Sequence, residues 1–202
     1  MKNKSKNLLY FTQVNLNKCK QGQIEIAKTI RKYNKAQKKF IVLIREPMNA
    51  QNRAIYQPTS CQIFTKSSNS RAAIYIDSNT KVWYMEALSH KDITVVQTRI
   101  ENRSTLIISA YFDILNKDVI WPELETVMEY VEQKGLGVIL GADTNAHSTS
   151  YGSTNNARGD LMDLFITRYK LDIENRGDTP TYESKGAKTH IDVTLTSVTI
   201  IL

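Results

Sequence analysis

The chain has 202 residues, 41% hydrophobic and 23% charged, with 27 Lys and Arg against 20 Asp and Glu for a formal net charge of +7. That is enough for one domain with a proper core, and no stretch approaches the ~18 consecutive apolar residues of a membrane-spanning helix. The charge points to a polyanionic partner rather than a cationic one, although the lysines, densest from Lys2 to Lys39, equally suit a soluble Lys-rich surface.

The opening, "MKNKSKNLLYFTQVNLNK", is basic, but Thr12, Gln13 and Asn15 interrupt its apolar run, so it does not read as a signal peptide. Leu8 to Leu16 is expected as a strand. Cys19 and Cys61 have no CxxC spacing and read as free thiols of a reducing, intracellular compartment. Gln21 to Tyr33 sets Ile24, Ala27 and Ile30 at helical spacing. Phe40 to Ile44, "FIVLI", predicts a central strand covered on both faces. Strands follow at Arg71 to Ile76, Val82 to Met85, Ile93 to Ile100 and Thr105 to Phe112, the last two forming a hairpin around Glu101-Asn102-Arg103. Ile120, Leu124, Val127, Met128 and Val131 then recur at helical intervals, with Pro122 in the first turn and Gly135 as the stop. "GVILG" predicts another buried strand. Leu161 to Tyr169 reads as a helix with Leu161, Leu164 and Phe165 inward, and Thr181 to Glu183 and His190 to Thr196 as short closing strands. Two strand–helix–strand passages around a block of antiparallel strands predict a single α/β domain, a two-sheet sandwich flanked by helices, with its site built from polar residues at strand ends.

Several polar residues sit at such ends: Asn15 after the first strand, Glu46 after "FIVLIR", and Asp143 and Asn145 after "GVIL". Singly, Asn15 suits a turn, Glu46 a solvated strand end and Asp143 a turn cap. Asp192, inside "HIDVTL", is different, because a carboxylate within an apolar strand needs a partner or a metal. Together they suit a hard cation: Mg²⁺ takes oxygen ligands and few carboxylates. Asp143 and Asn145, two apart on extended chain, are expected to point the same way, one taking a proton from water and the other donating to a phosphate oxygen. This is equipment for metal-assisted phosphodiester hydrolysis.

Six short motifs, "QVNLNK", "IREP", "SAYFD", "GADTNAHST", "TPTY" and "HIDVTLTS", in that order from about Leu8 to Ser197, resemble the endonuclease/exonuclease/phosphatase family. More narrowly they resemble the endonuclease domain of non-LTR (LINE-type) retrotransposons. The resemblance implies a DNase I-like four-layer fold. It also implies a Mg²⁺-dependent (or Mn²⁺-dependent) endonuclease acting on double-stranded DNA, nuclear when it does so, with a reverse-transcriptase domain in the parent reading frame. Asn15 and Glu46 match metal-binding residues. Tyr111 matches a Tyr on the scissile phosphate, Asp143 the acid that deprotonates water, and Asn145 the phosphate-binding Asn. Thr181 matches a supporting hydroxyl and Asp192 a buried acid. Arg71, Arg158 and the loop residue His147 are the further candidates for phosphate or DNA contact. The family usually has Gln where Arg45 stands and Phe where Thr144 stands. It also ends in a Ser-Asp-His motif, whereas this chain ends "TSVTIIL". The domain is therefore expected to be C-terminally incomplete, lacking its final strands and the histidine that meets charge on the phosphate. Two other functions stay open: a catalytically impaired module that binds metal and DNA, and a phosphatase or exonuclease on the same scaffold.

Overall fold

The computed structural model describes residues 9–48, 58, 60–116, 118–175, 182–184 and 187–197. A four-stranded sheet holds β1 (Leu9–Asn15), β2 (Lys39–Arg45), β3 (Cys61–Phe64) and β4 (Ala72–Asp77) in the order β1-β2-β4-β3. A six-stranded sheet holds β5 (Trp83–Tyr84), β6 (Ile93–Ile100), β7 (Arg103–Tyr111), β8 (Gly137–Asp143), β9 (Leu171–Ile173) and β12 (Asp192–Ser197) in the order β5-β6-β7-β8-β12-β9. β10 (Tyr182–Ser184) and β11 (Ala187–Thr189) pair as a separate hairpin. Three helices complete the described fold: α1 (Lys20–Lys35), α2 (Pro122–Lys134) and α3 (Ala157–Arg168).

Three apolar clusters lie between four layers. Ile26 and Ile30 of α1 pack on Phe40, Val42 and Ile44 of β2. The opposite face of β2, with Ile41 and Leu43, meets Val96, Ile107 and Ile139 of the larger sheet. That sheet's outer face, with Leu106, Ile108, Val138 and Leu140, is covered by α2 and α3. The sandwich flanked by helices is thus the observed architecture, and the alternation of faces in β2 follows from the two-residue period of an extended chain.

The chain connections set where the site forms. β1 and β2 run parallel across α1, and β7 and β8 run parallel across α2. A helix crossover returns the chain to the starting end of the sheet, so the C-terminal ends of all four strands gather at one mouth. β12 runs antiparallel to β8 and brings its N-terminal end there.

Several expectations shift. β3, β9 and β11 are short strands at edges or in the small hairpin, with too few residues to show a pattern. Arg71 lies just before β4 rather than in it. The helix expected from Leu161 begins earlier, because the Asn156 side chain caps it by accepting from the Gly159 N–H at 2.8 Å. Its buried face carries Gly159, Met162, Phe165 and Ile166, while Leu161 and Leu164 are exposed. Both sets have helical spacing, and the cap and the close approach of Gly159 to the His147 carbonyl select the second. Gly135, left-handed at φ 60°, ends α2 as expected.

Candidate active site

β2 alternates toward α1 with Phe40, Val42 and Ile44 and toward the other sheet with Ile41 and Leu43, so Arg45 also falls on the inter-sheet face. By the same parity Asn15 follows Leu9 and Phe11, Tyr111 follows Ile107, and Asp143 follows Ile139. The register then aligns them at the mouth: Asn15 lies beside Arg45 in the smaller sheet, and Tyr111, Asp143 and Asp192 form one row across the larger.

One amide ties the two sheets together there. Asn15 Nδ2 donates to Asp143 Oδ2 at 2.6 Å and to Glu46 Oε2 at 3.2 Å, while its Oδ1 accepts from the Asn17 N–H at 2.7 Å. Asn15, Glu46 and Asp143 are thus gathered as expected, from sequence positions 128 residues apart at the extremes. Glu46 is left-handed at φ 46°, although a residue before proline is normally extended. Its N–H donates to the Arg71 carbonyl at 2.7 Å and its carbonyl accepts from Lys18 at 2.9 Å, which over-determines the conformation.

Asp143 is 3% exposed, and its Oδ1 has no hydrogen-bond partner among the described residues. Burial, and then the neighbouring charge of Asp192, pushes its carboxyl up to about 6; the Asn15 hydrogen bond and Arg45 pull the other way. Tyr111 is raised by burial and then by the charges of Glu46 and Asp143, consistent with its place beside them.

Asp192 finds its partner in Arg45. The guanidinium is wholly buried, donates from Nη2 to Asp192, and reaches Gln13 Oε1 from Nη1 at 3.3 Å. Arg45 thus places a buried cation next to Asp192 and close to Asp143. The signal was available, since an arginine ending "FIVLI" continues the buried alternation.

Asn145 departs from the extended path expected for it. β8 ends at Asp143, and Asn145 is left-handed at φ 46°. Its Nδ2 donates to the Phe112 carbonyl at 2.8 Å, so it faces the loop after β7. The two arginines are committed within the protein. Arg71 donates to both carboxylate oxygens of Asp92 and to Asp113, each at 2.6 Å, and lies 4.6 Å over the Tyr111 ring. Arg158 donates to the carbonyls of Asn116 at 2.9 Å and Asp113 at 3.3 Å. His147 Nδ1 is 2.8 Å from Ser153 Oγ, bracing the loop after β8. Thr181 lies outside the described residues.

Among the described residues no group of three or more His, Cys, Asp or Glu is arranged to hold a metal, and no helix is long and apolar enough to cross a membrane. What the mouth offers is the two carboxylates of Glu46 and Asp143, bridged by the Asn15 amide N–H groups; carboxylate oxygens suit Mg²⁺ or Mn²⁺ rather than Zn²⁺. The unpartnered buried Oδ1 of Asp143 fits a cation or its water shell.

A family model described as endonuclease-reverse transcriptase matches residues 105–202. Among solved structures, the chain is similar to the endonuclease domain of TRAS1, a telomere-specific non-LTR retrotransposon. Identity is 27%, the match covers 92% of this chain and 84% of that one, and the TM-score is 0.69. An endonuclease/exonuclease/phosphatase family protein from Leptotrichia buccalis shares the fold at 12% identity, 93% and 86% coverage and a TM-score of 0.56. So does a mannosyl-6-phosphatase of Bacteroides thetaiotaomicron, at 12% identity, 95% and 85% coverage and a TM-score of 0.54. No curated protein matches the sequence. The chain therefore has the DNase I-like fold of the endonuclease/exonuclease/phosphatase family and resembles, in sequence as well as in fold, the endonuclease domain of a non-LTR retrotransposon.

Proposed function

We propose that the chain is a divalent-metal-dependent endonuclease that nicks one strand of duplex DNA and leaves a 3′-hydroxyl. The observation that carries this reading is the convergence of Asn15, Glu46 and Asp143 at the sheet mouth, with one Asp143 oxygen buried and unpartnered. Glu46 and Asn15 would hold Mg²⁺ or Mn²⁺ beside Asp143, and the bound ion would supply positive charge to the phosphate and acidity to water. Asp143 accepts the proton of the attacking water; its raised affinity for a proton suits a base working near neutral pH. Asn145, held by its bond to Phe112, directs its second amide N–H at a phosphate oxygen. Tyr111, fixed under Arg71, lines the phosphate's other side.

Supercoiled plasmid is the substrate for the test. Mg²⁺ should convert it to the open circle, EDTA should stop the conversion, and Asp143→Asn should abolish it. Duplex binding without any conversion would favour the impaired binding module, and phosphate release from a phosphomonoester instead would favour the phosphatase.

A further inference from the structure

Five large hydrophobic side chains are exposed among the described residues, and Leu115, at 87%, is the most exposed of them. Ile114 beside it is 62% exposed. The segment that carries them leaves β7 at the mouth of the site. Phe112 donates its N–H to the Asp143 carbonyl at 2.9 Å and its carbonyl accepts from Asn145; its ring packs edge-on against Trp121 with centroids 4.6 Å apart. Asp113 accepts from Arg71 and from the Leu115 N–H, the latter at 3.0 Å. The Asn116 N–H returns to the Asp113 carbonyl at 3.0 Å, closing a turn with Ile114 and Leu115 at its centre. Arg158 then reaches across from the first turn of α3 to the Asp113 and Asn116 carbonyls.

A free loop carrying Ile-Leu would fold these side chains down onto the protein, because burying each is worth about 1.5–3 kcal/mol. Here the hydrogen bonds to Arg71, Arg158, Asn145 and Asp143 fix the backbone so that they stay out. Arg71 spends one donor on this turn and two on Asp92, and Arg158 spends two on the turn, so these donors are not directed at a phosphate. Holding an apolar tip in one conformation before binding removes part of the ordering cost of binding.

We propose that the turn of residues 113–116 is an apolar wedge, which inserts Ile114 and Leu115 between stacked base pairs of the duplex being nicked. The proposal rests on the nuclease reading above. Three observations favour duplex DNA over a protein partner. The turn begins two residues after Tyr111, in the row with Asp143, so a strand seated for cleavage passes beside it. The chain's net charge of +7 suits a polyanion. The tip is two adjacent residues on a fixed turn, a shape for parting one base step rather than a broad face. Apolar side chains inserted this way unstack and kink a duplex, and pyrimidine–purine steps yield most easily. The wedge thus supplies a preference for nicking next to such steps without a hydrogen bond to any base.

The test uses the full chain with Asp143→Asn, so that DNA stays intact, in Mg²⁺, on duplexes carrying 2-aminopurine at a central TA step. Binding is followed by anisotropy and unstacking by 2-aminopurine fluorescence. Fluorescence should rise on binding, and adding Ile114→Ser and Leu115→Ser should remove that rise while duplex binding persists. In the Asp143 form, the serine pair should flatten the preference for pyrimidine–purine steps. Both positions are exposed, so the substitutions leave the core untouched. Binding and nicking with no fluorescence rise, or a rise unchanged by the serine pair, would overturn the wedge alone. Failure to bind duplex at all would overturn the nuclease reading and the wedge with it. A wild-type dimer that the serine pair converts to monomer would make the tip a self-association surface and overturn the wedge as well.

Discussion

Arg45 and Asp192 form a charge pair between the two sheets, directly behind Asp143. Arg45 ends β2 of the smaller sheet and Asp192 begins β12 of the larger, so the pair staples the sandwich where Asn15 also bridges it. Its electrostatic role is specific. Asp143 and Asp192 stand opposite each other in neighbouring strands, and two such carboxylates both ionise only if a cation offsets one of them.

Breaking this pair from one side strands a buried charge, which costs about 3–5 kcal/mol. Arg45→Gln should destabilise the protein by roughly that amount, and Asp192→Asn should do the same by orphaning the guanidinium. The double variant should recover most of the loss. Urea unfolding of the four proteins gives the coupling, and additive losses would show that the two side chains act independently.

Asp143 should make stability depend on pH in the metal-free protein. Its folded value of about 6 lies above its ordinary 3.8, so the native state binds this proton more tightly than the unfolded chain does. Ionising it therefore costs native stability above pH 6, and the cost disappears as pH falls through the interval toward 4. Each pH unit of separation corresponds to about 1.4 kcal/mol. Asp143→Asn should be more stable than the wild type in EDTA near neutral pH, by about 2–3 kcal/mol. That advantage should vanish near pH 4. Denaturant melts across the range check it, and a constant difference would refute the assignment to this carboxyl.

Asn145 combines a backbone demand with a chemical one. Ala at its left-handed φ of 46° costs roughly 1–2 kcal/mol, and it also loses the bond to Phe112. Asn145→Ala should lower stability and reduce nicking by about 10²–10³. Asn145→Gly should restore the backbone without restoring the rate. Recovery of nicking by glycine would assign Asn145 a conformational role only.

Gly159 is the tightest glycine among the described residues. A Cβ there would stand 1.7 Å from the His147 carbonyl oxygen, which is backbone that cannot swing aside. Gly159→Ala should cost about 3 kcal/mol and displace the His147–Ser153 loop, with a lower thermal midpoint as the readout.

The four-layer architecture was legible because "FIVLI", "GVILG" and the α2 periodicity are strong, local patterns. The site was legible for a related reason: Asn15, Glu46, Asp143 and Asp192 each interrupt an apolar strand at its end. The alternation of "FIVLI" puts Arg45 on the buried inter-sheet face, but the partner that makes it a site member, Asp192, lies 147 residues away and shows only in the fold. Arg71 and Arg158 illustrate the converse, since a sequence displays their charge but not the Asp92 carboxylate or the loop carbonyls that occupy it. Asn145 defeated the period-two argument because the strand ends at Asp143. Leu161 and Leu164 lost to Met162 and Ile166 because a cap and a glycine contact, rather than the apolar spacing, chose the helix face.

The amide of Asn15 closes a bond with Asp143 across 128 residues, and Asp192 must pair with Arg45 from farther still. Contacts of such sequence separation form late and slowly. During translation, the amino-terminal half can order its own sheet, with Asn15 and Glu46 at its mouth, before Asp143 and Asp192 exist to meet them. Residue 192 must leave the ribosome before the Arg45 guanidinium meets its carboxylate, so the buried cation at the sheet gap is the last of these partners to be satisfied as the chain is made.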